Sequence, residues 1–249
     1  MMKVIPLKSK NANEISCHRC ERFPGDYEEL NNCIIPARGG SKRIPYKNIR
    51  EFCGVPIIAY PIRSALRSGL FDNVIVSTDD PKIAKASQSW GAKIHWRSEK
   101  NSDDHAMLAD VLEEVISERP CDIVCCLLPC TPLVRYETLR KAWGLLKPHN
   151  AVVPVVQYSQ PYQRALQVVD GNVLMRDPSM YNVRSQDLPP VYYDPGCFWF
   201  LKVPAFMEYK MLYPPDSVPF VMDEIETQDV DTEDDWQMLE LKWKFLCKK

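Results

Sequence analysis

An α/β fold built on a doubly wound, mostly parallel sheet follows from three features of this chain. Short apolar runs alternate with amphipathic stretches from Cys33 to Val156, the rhythm of strands joined by crossover helices. The strongest of these runs, Asp122-Ile123-Val124-Cys125-Cys126-Leu127-Leu128, is nearly all apolar, as a buried strand must be. A Gly-Gly-Ser turn follows the first run directly, and sheets of this kind bind ligands beyond the carboxyl ends of their strands.

The elements follow in order. Residues 1–31 are polar and lack a sustained period, so they read as an N-terminal extension to one domain spanning 32–249. Cys33-Ile34-Ile35 is the first strand. Val55 to Ser68 reads as helix, Asn73 to Ser77 as strand, Pro81 to Trp90 as helix and Lys93 to Trp96 as strand. Ala106 to Glu118 reads as helix and Asp122 to Leu128 as strand. Tyr136 to Leu146 then reads as helix and Ala151 to Val156 as strand. From about residue 157 to 190 prolines break the rhythm, and Val168 to Leu174 predicts a hairpin around Asp-Gly-Asn. This inserted, β-rich segment carries more apolar side chains than it can cover, and a partner subunit is one solution. The chain returns to strand at Phe198 to Lys202. It ends in a helix with acids at its start and lysines near its end, the polarity that the helix dipole favours.

Composition narrows the function classes. The formal net charge is −2 over 249 residues, so nothing overall points to nucleic acid or an anionic membrane. No run approaches the roughly 18 apolar residues of a membrane span, and the N-terminus does not read as a signal peptide. Ten cysteines are present, several inside apolar runs (Cys33, Cys125, Cys126, Cys197), where they read as small core hydrophobes. A reduced, cytoplasmic setting is the expectation. Cys17-His18-Arg19-Cys20 could supply half of a zinc site, but no second ligand pair follows.

Chemistry is concentrated in two places. Ala37-Arg38-Gly39-Gly40-Ser41-Lys42-Arg43-Ile44-Pro45-Tyr46-Lys47-Asn48 sets four cations around two glycines at the end of the first strand. Glycine lets backbone N–H groups come close to a ligand, and fixed cations beside such amides suit a polyanion, most simply a nucleoside triphosphate. A solvated basic loop is the bland alternative. Neither G-x-x-x-x-G-K-[ST] nor G-x-G-x-x-G occurs here. Near the other end, Asp229 and Asp231 are separated by one residue, which on extended backbone turns both side chains the same way. Two such carboxylates form a hard oxygen site suited to Mg²⁺ (or Mn²⁺) with phosphate oxygens. The competing reading makes Asp231 only the cap of the last helix. A third stretch, Ser77-Thr78-Asp79-Asp80, either binds nucleotide or metal, or caps the helix that begins at Pro81.

The segment Ile35 to Asn48 resembles the signature of the nonulosonic-acid cytidylyltransferases. The likeness continues through Ser77 to Asp80, Ser102-Asp103-Asp104-His105, Arg184-Ser185-Gln186-Asp187-Leu188 and Gln228 to Thr232. It covers Cys33 to the C-terminus. Within the family the chain is most similar to the pseudaminic-acid branch, on Cys125-Cys126-Leu127, Ser159-Gln160-Pro161-Tyr162 and Tyr193-Asp194-Pro195-Gly196. After the central strand it reads Leu128-Pro129-Cys130-Thr131-Pro132-Leu133-Val134. The Gln and Arg usual in the sialic-acid members are missing there, which argues against N-acetylneuraminate.

The resemblance implies a fold of the nucleotide-diphosphosugar-transferase type, and a homodimer in which the insertion completes the partner's sugar site. It implies CTP and a sugar acid as substrates, with Mg²⁺ dependence. Arg38, Ser41, Lys42 and Lys47 would cradle the triphosphate, with Ala37, Gly39, Gly40, Asn48, Ser77, Thr78 and Asp79 completing the nucleotide site. Asp229 and Asp231 would bind the metal and, with Arg38, Lys42 and Lys47, form the catalytic set. Arg184, Gln186 and Asp194 would lie near the sugar. Rival readings are a cytidylyltransferase for another sugar acid (legionaminic, N-acetylneuraminic or Kdo), a glycosyltransferase on a similar fold, and a non-catalytic nucleotide-binding or scaffold protein. The sequence names no general base.

Overall fold

The Cys33-Ile34-Ile35 run becomes β1 (Asn31–Pro36), an inner strand of the main sheet. Residues 29–103 and 106–247 are described by a computed structural model. The extension as far as residue 28, with Cys17 and Cys20, lies outside them, as do Asp104 and His105. A tight hairpin of β2 (Glu51–Phe52) and β3 (Val55–Pro56) precedes α1 (Ala59–Ser68). Then come β4 (Asn73–Thr78), α2 (Pro81–Ser89), β5 (Lys93–Trp96), α3 (Leu108–Glu118) and β6 (Ile123–Leu127). The chain continues through α4 (Tyr136–Leu146), β7 (Ala151–Gln157), β8 (Leu166–Val169), β9 (Asn172–Met175) and β10 (Tyr192–Tyr193). It closes with β11 (Phe198–Lys202), α5 (Val203–Tyr209), β12 (Ser217–Val221) and α6 (Glu233–Leu246).

The main sheet runs β10-β7-β11-β6-β1-β4-β5, with β12 also paired to β7. β5, β4, β1 and β6 are mutually parallel. β11 enters antiparallel between β6 and β7, and β12 pairs parallel with β7. The two-residue period of a strand explains the two winding layers. Cys33 and Ile35 face a core with Ile62 of α1, Ile83 of α2 and Leu139 of α4. Ile34, between them, faces Leu112 and Val115 of α3 and Phe206 of α5. Both faces are covered, so Cys33, Ile34, Ile35, Cys125 and Cys126 are each fully buried and the strands need no polar side. A third cluster seats α6, through Trp236 and Leu239, on Ile44, Phe52 and Ile57. That packing brings the last helix back to the loop after β1.

The helix expected from Val55 begins at Ala59, because Cys53 (φ 47°) and Gly54 (φ 94°) take left-handed conformations that turn β2 back on β3. β12 and α5 went unforeseen. The hairpin around Asp170-Gly171 forms as expected, both residues having positive φ as this kind of turn requires. Its faces are open: β8 is exposed throughout, and so are Val173 and Leu174 of β9. No helix among the described residues is long and apolar enough to cross a membrane.

Candidate active site

Pro36 ends β1 and Leu127 ends β6, and parallel neighbours place these carboxyl ends side by side. A cleft of about 490 Å³ opens beyond them. Arg38, Ser41, Lys42, Lys47 and Asn48 line one wall, and Gln228, Asp229 and Asp231 another. The basic and acidic stretches, almost 200 residues apart in sequence, therefore share one cavity. Lys47 joins them. Its Nζ donates to Val230 O at 2.5 Å and lies 3.4 Å from Asp231 Oδ1. Arg43 reaches the same Asp231 oxygen at 2.8 Å.

The loop's shape has local causes. Asn48 is buried; its Nδ2 donates to Arg38 O at 2.9 Å, while its Oδ1 accepts from the Cys130 thiol at 3.3 Å. Burial pushes the Cys130 thiol up to about 12, so it stays protonated and serves as that donor. Gly39 N donates to Asp79 Oδ1 at 2.8 Å. A Cβ at Gly39 would stand 2.9 Å from the Asp80 side chain. That glycine is needed for the close approach of the loop to the end of β4, beside any role toward a ligand. Gly40 has open space around it.

Both ambiguous acidic stretches resolve in part. Thr232, not Asp231, is the N-cap of α6, and it forms a capping box with Asp235. Asp231 is thereby left to the cleft. Asp80 caps α2 by accepting from Lys82 N and Ile83 N, whereas Asp79 holds Gly39. Burial, then the neighbouring charge of Asp231, raises the Asp229 carboxyl above the usual range, partly offset by the Val230 N–H and Lys47. Two crowded carboxylates, one of them half-buried, are a hard-oxygen donor set that a divalent cation fits.

Other expected residues are dispersed. Ala37, Ser77 and Thr78 are fully buried and do not line the cleft. Asp194 borders an adjoining cavity shared with Asp229 and Asp231. There it accepts from Gly196 N, Trp199 Nε1 and the Tyr213 hydroxyl, and burial with that last bond raises Tyr213 to about 12. Gln186 lines a separate cavity with Tyr158 and Pro161. Arg184 is exposed and paired with Asp187 at 2.7 Å. Sequence reasoning missed Arg97, which lines the cleft and donates from Nε to Ser77 O and Oγ. Burial lowers its guanidinium to about 10, still charged at neutral pH. No sequence pattern marked it; the pairing of β5 with β4 brings it there.

This chain belongs to the cytidylyltransferase family, whose model matches residues 32–194, and is a nucleotidyltransferase enzyme. It is 38% identical over 223 residues to a pseudaminic acid cytidylyltransferase of Campylobacter jejuni subsp. jejuni serotype O:2, covering 86% of this chain and 96% of the relative. It is 30% identical to a CMP-N,N′-diacetyllegionaminic acid synthase of Legionella pneumophila, over 83% of this chain and 93% of that one. Among solved structures, CMP:2-keto-3-deoxy-manno-octonic acid synthetase complexed with CTP superposes with a TM-score of 0.66 at 20% identity. That match covers 88% of this chain and all of the other, and it establishes the shared fold.

Proposed function

We propose that this enzyme transfers CMP from CTP to pseudaminic acid, a nine-carbon 2-keto sugar acid, and releases pyrophosphate. The observation that carries the reading is the cleft in which the Arg38–Lys47 loop faces Asp229 and Asp231. Its substrate assignment is supported by the relative at 38% identity over nearly its whole length.

The sugar's anomeric hydroxyl attacks the α-phosphorus of CTP, and the bond to pyrophosphate breaks. Such displacements are governed by positioning and charge, which suits a wall of cations. Arg38 and Lys42 stabilise the charge that gathers on the leaving pyrophosphate, while Ser41 and Lys47 hold the triphosphate. Asp229 and Asp231 are the residues that would hold Mg²⁺ (or Mn²⁺). Bound there, such an ion would supply Lewis-acid polarisation of the α-phosphate. Arg43 and Lys47 compensate the Asp231 charge in this structure, keeping the paired carboxylates tolerable in the free enzyme.

Asp194, through its turn, shapes the sugar end of the cleft. Arg184 and Gln186 reach a sugar from the insertion of a partner subunit, in a homodimer that buries the open hairpin. The cytoplasm, where CTP is made available to such enzymes, is the proposed location. Pyrophosphate release across a panel of sugar acids and the four nucleoside triphosphates tests the proposal. The expected outcome is a CMP-sugar, identified by mass spectrometry, formed fastest from CTP and pseudaminic acid. Faster turnover of N-acetylneuraminate or legionaminic acid would overturn the substrate, and no pyrophosphate with any acid would overturn the reaction.

A further inference from the structure

Away from the cleft, on the α3 side of β5, His95 meets two carboxylates. Its Nε2 lies 3.7 Å from Glu114 Oε1 and 3.3 Å from Glu118 Oε2. These three donors all fall within 4.8 Å of one another. Glu114 and Glu118 are four residues apart on α3, so they share one helix face and repel each other there. His95 is 2% exposed, yet its Nε2 has no hydrogen-bond partner. That nitrogen, buried without a hydrogen bond of its own, is aimed between two carboxylates, which is the arrangement a cation requires.

We propose that His95, Glu114 and Glu118 form a binding site for a divalent transition-metal ion of the Zn²⁺ type, separate from the cleft acids. The spacing matches the ion. Tetrahedral zinc with bonds of about 2.0–2.1 Å sets its ligand atoms roughly 3.3 Å apart, close to the two distances above. One imidazole and two carboxylates are a mixed donor set that favours zinc over magnesium, which selects oxygen ligands.

The surroundings hold two of the three ligands in place. Ser77 Oγ lies 3.1 Å from His95 Nδ1, and a bond donated by Nδ1–H leaves the Nε2 lone pair for the metal. Glu114 is fixed by Ser98, whose N and Oγ donate at 2.7 and 2.8 Å, and by Asn101 Nδ2. Glu118 is the open side: its side chain is 61% exposed, which gives the ion a way in and leaves room for a water. The site would fasten α3 to the edge strand β5. Because Ser77 Oγ also accepts from Arg97 Nε, it would steady one wall of the cleft without taking part in its chemistry.

Zn²⁺ titration of the chelator-treated full chain, followed by calorimetry, tests this. The Asp229→Asn/Asp231→Asn protein serves as background so that the cleft acids cannot compete. One equivalent should bind, and Glu118→Gln, a change at an exposed position, should weaken binding about tenfold or more. Co²⁺ in place of Zn²⁺ should give the visible bands of a four-coordinate site with the background protein and lose them with Glu118→Gln. Equal Zn²⁺ affinity with and without Glu118→Gln, or no binding in the background protein, would overturn the site. Either failure leaves the pyrophosphate assay untouched, so it bears on this site alone.

Discussion

The cleft and the inserted hairpin are opposite ways of using one chain. In the cleft, charged groups rest on a finished scaffold: Asn48 is buried, Lys47 spans two segments, and Thr232 with Asp235 seats α6. In the hairpin the backbone pairs correctly, but β8 and most of β9 stay exposed among the described residues. Val168 is 73% exposed, Leu166 62% and Val173 64%, which is unusual for β-branched and branched apolar side chains on neighbouring strands. The cleft draws both of its charged walls from one chain.

The sharpest way to break this comparison is at the acids. If Asp229 and Asp231 are present for a metal and not for folding, Asp229→Asn/Asp231→Asn should lower turnover by orders of magnitude. Its melting temperature should move little, since Thr232 and Asp235 supply the cap. Steady-state kinetics and thermal melts together check this, and a fully active double variant would refute it. The hairpin comes next. Light scattering should give about twice the 28.7 kDa chain mass, and Val168→Asp with Leu174→Asp should shift it to that of one chain. Activity should fall with the shift if each insertion completes its neighbour's pocket. A fully active monomer would reduce the hairpin to a lid over its own site. The smallest expected effect is at the seat of α6. Thr232→Ala removes one capping bond and should cost about 1 kcal/mol of stability, measured by denaturant melts. Loss of activity well beyond loss of stability would show that the cap also positions Asp231.

What could be read beforehand follows the same division. Strands β1, β4, β6, β7 and β11 were legible because burial on both faces makes them continuous apolar runs. α2 and α4 were legible from their amphipathic spacing and, for α2, from Asp80-Pro81 at its start. β12 was not, because Pro219 within Ser217–Val221 reads as a breaker and the strand is only half-buried. Such prolines are tolerated at a sheet edge. In the site, the clustered residues of Arg38–Lys47 and Asp229/Asp231 announced themselves. Arg97 did not, because a single arginine after a strand carries no pattern; only β4–β5 pairing puts it by Ser77. Ser77 and Thr78 illustrate the converse. They stand in a stretch that reads as a ligand loop, but their side chains belong to the interior end of β4.

The bond from Lys47 to Val230 spans 183 residues, and this sets an order of assembly. During synthesis the basic loop, its strand and most of the sheet emerge long before the acids that balance them. Until α6 returns to its seat on Ile44 and Phe52, the nascent domain holds an anion-attracting rim with no counterweight. Closing so long a loop is among the slower steps a chain can take. The enzyme therefore acquires the acidic half of its cleft last, and a ribosome-bound chain lacking those final turns would present the wall proposed for the triphosphate before the carboxylates proposed for the metal exist beside it.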